Sequence, residues 1–361
     1  MDDNAASPRR ETAPEAGYAP EAARYRTQRS GAPPDKNHHP RRGYGALDLG
    51  TNNCRLLIAR PSGDGDGFTV IDAFSRIVRL GEGMSKTGKL SDAAIDRAVE
   101  ALSICADKLR RRHVSIARSV ATEACRRAAN GRHFVRRVRE ETGIALDIIS
   151  PEEEARLAVL GCHVLLEAGE GPALVFDIGG GSTELVLIEP GDEEPEIISW
   201  YSAPWGVVSL AEREFNDLTS LEDRLDTYQR MRNRVAASFA DFAATLPTIG
   251  YQPRLLGTSG TVTTLASVHL DLPSYDRNKI DGLILPAEAM RAISADLAYK
   301  SVAERALIPC IGKERADLVV AGCAILEAIL DIWPAPRIGI ADRGIREGIL
   351  RSMMAREGRL Q

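Results

Sequence analysis

A glycine-rich segment in the middle of the chain restricts the possible folds more than any other part of the sequence. Residues 173–189 read ALVFDIGGGSTELVLIE, so a short apolar run leads through Asp177, three glycines and two hydroxyl residues to a second apolar run. Short apolar runs predict buried strands, and glycines without a Cβ let backbone N–H groups surround an anion. P-loops and dinucleotide fingerprints are excluded, because their glycines open a helix and a P-loop also needs a lysine.

The same pattern occurs a second time near the start of the chain. Residues 45–59 read GALDLGTNNCRLLIA, which places Asp48 where the first pattern has Asp177. An ordinary tight hairpin is the alternative for the first pattern, since hairpin turns also use glycine, and the second copy disfavours it. A repeated unit in the two halves of one chain predicts two related halves that face each other. We therefore expect two anion-binding hairpins across a cleft, with Asp177 able to hold a hydrated Mg²⁺.

Several motifs in a fixed order resemble one protein family. The two glycine segments and residues 257–261 (GTSGT) resemble the superfamily of actin and the sugar kinases. Together with ATEACR at 121–126, ISPEEEARL at 149–157 and DRGIREG at 342–348, they are similar to the Ppx/GppA family of exopolyphosphatases and guanosine pentaphosphate phosphatases. The resemblance covers roughly residues 43–353. It implies an α/β chain of two related actin-like (ribonuclease H-like, ASKHA) domains around an interdomain cleft, in the short form without a C-terminal HD-type domain.

The domain organisation follows from composition and from the resemblance. Residues 1–43 contain six prolines and no Val, Ile, Leu, Phe or Trp. Such a segment cannot offset its ordering entropy by burial, so we expect a disordered tail. Residues 44–170 are expected to form the first domain, completed by a C-terminal helix within 343–361. Residues 171–342 are expected to form the second domain.

The helix that begins after Ser150 contains the expected catalytic base. Ser150 is predicted to cap this helix, with Pro151 at its first position and Glu153 completing a capping box. In the family that the chain resembles, the glutamate just before Ala-Arg-Leu orients the attacking water, and this residue is Glu154 here. The alternative is a plain carboxylate at a helix start, where negative charge is favoured by the helix dipole.

The resemblance also implies the remaining site residues. Arg126 matches an arginine that contacts substrate phosphate, although a surface arginine is the alternative. Mg²⁺ is expected near Asp177 and Asp48 through water. Glu184 is expected to help through metal-bound water or a hydrogen bond, and a surface glutamate beside the turn is the alternative. The phosphate-binding residues are expected to be Gly50, Thr51, Asn52, Gly179, Gly180, Gly181, Ser182, Thr183, Gly257, Ser259 and Gly260.

Charge and composition limit the partners. The net charge of −5 gives no general attraction to nucleic acid. Residues 97–139 nevertheless carry twelve Lys or Arg and three Asp or Glu, which is either a solvated surface or a basic wall for a polyanion. No aromatic residues alternate with these cations, so specific nucleic-acid binding is not predicted. No membrane span or signal peptide is predicted, and six scattered cysteines indicate reduced thiols in the cytoplasm.

The predicted reaction is hydrolysis of the terminal phosphoanhydride of inorganic polyphosphate with Mg²⁺. The same site acting on guanosine pentaphosphate (pppGpp) is the nearest alternative, and the basic segment favours the polymer. A kinase of the wider superfamily is disfavoured, because Glu154 precedes Asp177 in the chain. A non-catalytic polyphosphate or nucleotide sensor is a further alternative, which the presence of Glu154, Asp177 and Arg126 disfavours. The sequence leaves a homodimer open.

Overall fold

The computed structural model describes residues 42–62, 67–191, 194–214, 220–246 and 253–358. Residues 1–41, which are nearly all of the predicted disordered tail, lie outside the described residues. All six cysteines are free thiols, and five of them are buried. Within the described ranges, no helix is both long enough and apolar enough to cross a membrane.

The first sheet has five strands in the order β3-β2-β1-β4-β5. The first three form an antiparallel meander, and β4 and β5 run parallel to β1. Strand β1 begins one residue earlier than the first domain was expected to begin. The strands are β1 (Gly43–Leu49), β2 (Asn53–Pro61), β3 (Phe68–Ile77), β4 (Val114–Ala121) and β5 (Leu146–Ile148).

The second sheet repeats this arrangement and adds one strand. Its order is β10-β11-β9-β6-β7-β8, in which β6, β7 and β8 form the meander and β9 and β11 extend it in parallel. Strand β10 is the addition and lies antiparallel at the edge. The prediction of an α/β chain with two related halves is therefore confirmed. The strands are β6 (Ala173–Ile178), β7 (Thr183–Glu189), β8 (Glu196–Ala203), β9 (Arg254–Thr258), β10 (Ile284–Pro286) and β11 (Arg337–Ala341).

Helices connect the strands and cover both sheets. Capping residues mark the start of several helices. The Ser91 hydroxyl accepts from the Ala94 N–H at the start of α2, and Ser150 caps α5, in which Pro151 is the first residue. The helices are α1 (Met84–Thr87), α2 (Asp92–Arg111), α3 (Glu123–Arg127), α4 (Gly131–Thr142), α5 (Pro151–Cys162), α6 (Val207–Glu214), α7 (Leu221–Ala243), α8 (Ser259–His269), α9 (Arg277–Ile280), α10 (Ala287–Tyr299), α11 (Val302–Ala306), α12 (Gly312–Arg315), α13 (Val319–Ile332) and α14 (Ile345–Arg356).

The capping box predicted at α5 is only half formed. The Ser150 hydroxyl accepts from the Glu153 N–H at 3.2 Å, as expected. The Glu153 carboxylate does not return to Ser150; it binds Arg118 at 2.8 Å and Arg156 at 2.9 Å. Two charged donors outcompete one backbone N–H, because hydrogen bonds between charged groups are the stronger ones.

Helices α5 and α14 each cover the sheet of the other half. Helix α5 follows the last strand of the first sheet, yet Val159 and its neighbours pack on the second sheet. Helix α14 follows the last strand of the second sheet, yet Ile349, Leu350 and Met354 pack on the first sheet. Because α5 contacts both halves, the boundary expected at residue 170 stays a prediction.

The two helices cross with their backbones in contact. A Cβ at Gly161 of α5 would lie 2.0 Å from the Gly344 carbonyl oxygen and 3.0 Å from the Gly348 nitrogen. A Cβ at Gly348 of α14 would lie 2.0 Å from the Leu157 carbonyl oxygen. Only glycine leaves room for this approach. The crossing therefore fixes the distance between the two halves.

Gly348→Ala tests the crossing. The added methyl group meets backbone atoms that cannot turn aside, so we expect the free energy of unfolding to fall by about 1–3 kcal/mol. Denaturant titration followed by circular dichroism measures the change. Gly67→Ala is the matched control, because the nearest atom to a Cβ there, among described residues beyond its chain neighbours, is 3.9 Å away. Equal unfolding midpoints for Gly348→Ala and the wild-type protein would contradict backbone contact at this point.

Candidate active site

Two aspartates occupy the same position in the two sheets. Asp48 on β1 pairs in register with Arg55 on β2, and Asp177 on β6 pairs in register with Glu184 on β7. Both aspartates stand near the carboxyl ends of central strands that have a parallel neighbour. Ligands bind at this end of parallel strands. The repeated sequence pattern thus becomes a repeated geometry.

The turn after each aspartate closes by the same hydrogen bond. The Gly50 N–H donates to the Asn53 carbonyl at 2.9 Å, and the Gly179 N–H donates to the Ser182 carbonyl at 3.0 Å. These two glycines therefore shape the turns with N–H groups that are already in use. The N–H groups of Thr51, Asn52, Gly180, Gly181 and Ser182 make no hydrogen bond within the described part of the chain.

The two turns touch each other. A Cβ at Gly180 would lie 3.1 Å from the Asn52 nitrogen, and a Cβ at Gly181 would lie 2.6 Å from the Thr51 hydroxyl oxygen. Behind them, a Cβ at Gly206 would lie 2.3 Å from the Gly180 carbonyl carbon. The glycines are thus needed for the contact between the halves.

A pocket lies between the two halves beside these turns. Asp48, Asp177 and Ser259, all identified from the sequence, contribute to it. Ser259 has φ of +80° in the left-handed region, which is strained for a non-glycine residue and is a feature of functional sites. The full lining is Asp48, Arg55, Asp177, Thr258, Ser259, Asp342, Arg343, Gly344, Ile345 and Arg346.

The pocket combines cations with helix N-termini. Arg55 and Arg346 make no hydrogen bond or ion pair with other described residues. Helix α8 begins at Ser259 without a side-chain cap, and α14 begins just after Gly344. The start of α14 already holds the Glu347 carboxylate, which accepts from the Gly344 N–H at 3.0 Å. Arginines and the uncapped N-terminus of α8 both favour anions, so this part of the pocket suits phosphate groups.

The carboxylates of the site have raised pKa values. Burial raises the pKa of Asp177 to about 6, and the nearby Asp48 charge adds to this while Arg55 opposes it. Burial raises the pKa of Glu184 to about 7, with a further contribution from Asp177. The pKa of Asp48 is also raised by burial, against the opposing charges of Arg55 and Arg346. Negative charge is therefore crowded here, and a cation would relieve it.

The residues present fit a hydrated magnesium ion. Within the ranges that the structure describes, no three His, Cys, Asp or Glu residues converge as a direct metal cluster. However, the buried Asp48 Oδ1 atom has no hydrogen-bond partner among the described residues. Mg²⁺ keeps several waters and needs only one or two carboxylates, so Asp48 and Asp177 could hold it through water. Glu184 is buried and accepts a hydrogen bond from the Ser202 hydroxyl at 2.8 Å.

Glu154 and Arg126 form a cluster next to the pocket. The Glu154 Oε2 atom accepts from the Nη1 and Nη2 atoms of Arg126, both at 3.1 Å. Only 6% of Glu154 is exposed. Burial raises the pKa of Glu154 well above its usual range, Glu184 and Asp48 raise it further, and Arg126 lowers it. A carboxylate with a raised pKa is suited to accept a proton near neutral pH.

Other residues expected to bind phosphate have structural contacts. The Thr183 hydroxyl donates to the Trp205 carbonyl at 2.6 Å. Gly257 lies beneath a ring, because a Cβ there would be 2.6 Å from the Phe176 side chain. Gly260, in contrast, faces Arg55, whose Nη2 atom would be 3.8 Å from an added Cβ. Of the third glycine segment, Ser259 and Gly260 are therefore the residues directed at the site.

The basic segment 97–139 is largely paired with acidic residues. Residues 108–112 lie at the end of α2, beside the first residues of β1 and β4. This part of the basic segment is therefore at the opposite end of the sheet from Asp48. This run does not line the pocket. The segment's ion-paired residues are Arg97, Lys108, Arg110, Arg112, Arg118, Arg126, Arg127 and Arg137.

Sequence reasoning missed three residues of the site. Arg55 follows Asp48 by the same interval as Glu184 follows Asp177, so a comparison of the two repeats could have found it. Glu123 stands three residues before Arg126, the spacing of neighbours on a helix face. Arg346 belongs to the motif DRGIREG at 342–348, but only the crossing of α5 and α14 brings it to the pocket.

Comparison with known proteins gives a consistent result. Residues 57–357 match the model of the Ppx/GppA phosphatase family. Exopolyphosphatase 2 of Mycobacterium tuberculosis is 31% identical over 292 residues, which are 79% of this chain and 88% of that protein.

Two solved structures are also similar. The crystal structure of the Aquifex aeolicus Ppx/GppA family member matches with a TM-score of 0.70 and 29% identity, over 88% of this chain and 99% of that one. The crystal structure of an exopolyphosphatase from Cytophaga hutchinsonii matches with a TM-score of 0.75 and 26% identity, over 87% and 98%. The two-domain actin-like fold and the phosphoanhydride hydrolase class that the sequence predicted are thereby confirmed, and the chain belongs to the Ppx/GppA phosphatase family.

Proposed function

We propose that the chain is an exopolyphosphatase that hydrolyses the terminal phosphoanhydride of inorganic polyphosphate with Mg²⁺ and releases orthophosphate. The pocket carries this proposal, because it joins two aspartates suited to a hydrated cation with Arg55 and Arg346, which make no ion pair with other described residues. The names of the Mycobacterium tuberculosis and Cytophaga hutchinsonii relatives support polyphosphate as the substrate. The cytoplasmic location and the homodimer stay predictions.

The phosphate end of the substrate is proposed to bind in the pocket. Arg55, Arg346 and the N-terminus of α8 would hold the terminal phosphates, and the N–H groups of the two turns that have no partner among the described residues would add donors. A bound Mg²⁺ would offset charge on the transferred group, with Asp48 and Asp177 holding its waters. Positioning and charge stabilisation provide most of the catalysis in phosphoryl transfer, so these contacts are the main requirement.

Glu154 is proposed to act on the attacking water. Its carboxylate orients the water and accepts a proton as the oxygen attacks the terminal phosphorus. The bond from that phosphorus to the bridging oxygen breaks, and the shortened polyphosphate leaves. The buried position of Glu154 supports this role, because a raised pKa favours proton acceptance.

Loss of the Glu154 carboxylate should abolish turnover with little effect on binding. Glu154→Gln is expected to lower kcat for long-chain polyphosphate about 10²–10⁴-fold. Phosphate release in the presence of Mg²⁺ measures this, with pppGpp as a parallel substrate. Glu153→Gln is the matched control, since Glu153 is the adjacent carboxylate and pairs only with arginines outside the pocket.

The outcomes separate the competing functions. Release from polyphosphate that only Glu154→Gln loses supports the proposed enzyme. Release from pppGpp alone would assign the site to the nucleotide. Tight binding of polyphosphate without release by the wild-type protein would overturn hydrolysis and favour a sensor.

The crowded carboxylates predict how stability depends on pH. Asp177 and Glu184 have pKa values of about 6 and about 7 in the fold, against ordinary values of 3.8 and 4.5. The folded protein thus binds protons that the unfolded chain releases, so this stabilisation is complete below about pH 4 and is lost as the pH rises through 6 to 7. A rise of about this size in the pKa of one carboxylate corresponds to about 3 kcal/mol in the free energy of unfolding. Without metal, Tm should fall by at least about 5 °C between pH 5 and pH 8.

Magnesium should reverse this loss. Differential scanning fluorimetry in EDTA and in millimolar Mg²⁺ is expected to show a rise in Tm at pH 8 and little change at pH 5. Asp177→Asn should weaken both the pH dependence and the response to Mg²⁺. Asp72→Asn, a carboxylate paired with Lys108 away from the pocket, is the control. A response to Mg²⁺ that survives in Asp177→Asn would place the ion elsewhere.

A further inference from the structure

Arg126 is held between two carboxylates. Its Nε and Nη2 atoms donate to Glu123 Oε2 at 3.2 and 2.6 Å. Its Nη1 and Nη2 atoms donate to Glu154 Oε2, and Nη1 also donates to the Ile149 carbonyl at 2.7 Å. The guanidinium is therefore fixed from three sides, by α3, by the start of α5 and by the segment between β5 and α5.

These contacts use every donor that the side chain has. A guanidinium carries five N–H groups, and the contacts to Glu123, Glu154 and Ile149 number five. A direct contact from Arg126 to a substrate phosphate would have to break one of them. Arg55 and Arg346, which have no such partners in the described part of the chain, line the pocket instead. Arg126, which the resemblance implied would contact substrate phosphate, is thus bound to protein groups in this structure.

Glu123 lies directly beneath the second glycine turn. A Cβ at Gly181 would be 3.0 Å from the Glu123 Cγ atom, and only 8% of Glu123 is exposed. Its other carboxylate oxygen is 3.5 Å from the half-exposed Arg127. A buried carboxylate in this place needs its partner, because an unpaired buried charge is costly. Glu123 and Arg126 therefore keep each other in position.

We propose that Arg126 acts on Glu154 rather than on the substrate, and that Glu123 is a positioning residue that fixes Arg126 in this orientation. The proposal deepens the proposed hydrolysis and rests on it for the kinetic effects. Its geometric part, the sharing of one guanidinium by two carboxylates, can be tested without turnover.

The charges around Glu154 give the sign of the expected change. Glu154 faces Arg126 from α3, Glu184 from β7 and Asp48 from β1, and it shares Arg126 with Glu123. Arg126 divides its charge between two carboxylates. Glu123→Gln removes one of them and keeps the shape, so Arg126 should lower the pKa of Glu154 further. Arg126→Lys removes the planar donor group and should raise that pKa.

The experiment combines a titration with kinetics on the full chain. Carbon-13 NMR follows the carboxyl carbon of Glu154, identified by its loss in Glu154→Gln. Glu123→Gln is expected to lower the pKa of Glu154 by about one unit, and Arg126→Lys to raise it. In Glu123→Gln, kcat for polyphosphate should fall about 3- to 10-fold with KM within twofold. Glu153→Gln should change neither quantity, and Tm of each variant confirms folding.

Each result has a defined meaning. An unchanged pKa of Glu154 in both folded variants overturns the proposal, whether or not the wild-type protein turns over. A rise of tenfold or more in KM with unchanged kcat in Arg126→Lys would show that Arg126 contacts the substrate, which also overturns it. Absence of phosphate release by the wild-type protein would refute the proposed hydrolysis, and the titration would still decide the positioning role.

Discussion

The close crossing of α5 and α14 determines how the two halves of this chain meet. Each helix leaves the last parallel strand of one sheet and packs on the other, so each half covers one face of the other half's sheet. At Gly161 and Gly348 the backbones touch, which leaves no room for a side chain of either helix. Protein interiors are close-packed and transmit small shifts, so a change at this crossing must alter the separation of the halves.

The crossing also explains why the site is where it is. Parallel strands end at the same edge of a sheet, and each of these helices begins just past that edge. Helix α5 therefore brings Glu154 to the cleft within its first turn, and α14 brings Arg346 there from the other side. The proposed base Glu154 and the pocket arginine Arg346 reach one place from two halves because the helices are exchanged. A site of this kind requires both sheets and cannot form in one half alone.

The sequence predicted what is encoded locally and missed what depends on contacts between distant residues. Each of the two repeats has a strand, an aspartate and glycines. These repeats predicted the hairpins and the two related halves, because apolar runs and turn residues determine local structure within about fifteen residues. One of the two hydrogen bonds of the predicted capping box was wrong. The Glu153 carboxylate binds Arg118, which comes from β4, instead of the Ser150 N–H. Glu123 lies inside the motif ATEACR at 121–126, but its proposed role depends on Glu154, about thirty residues further along the chain.

One difference between the two repeats gives the site its chemistry. At the register position opposite each aspartate, the first half has Arg55 and the second half has Glu184. Arg55 opposes the raised pKa values of Asp48 and Asp177, whereas Glu184 raises that of Glu154. Two arginines would leave the base too acidic, and two glutamates would repel a phosphate chain. Under the proposed function, this one substitution gives a symmetric scaffold a side that binds phosphate and a side that activates water.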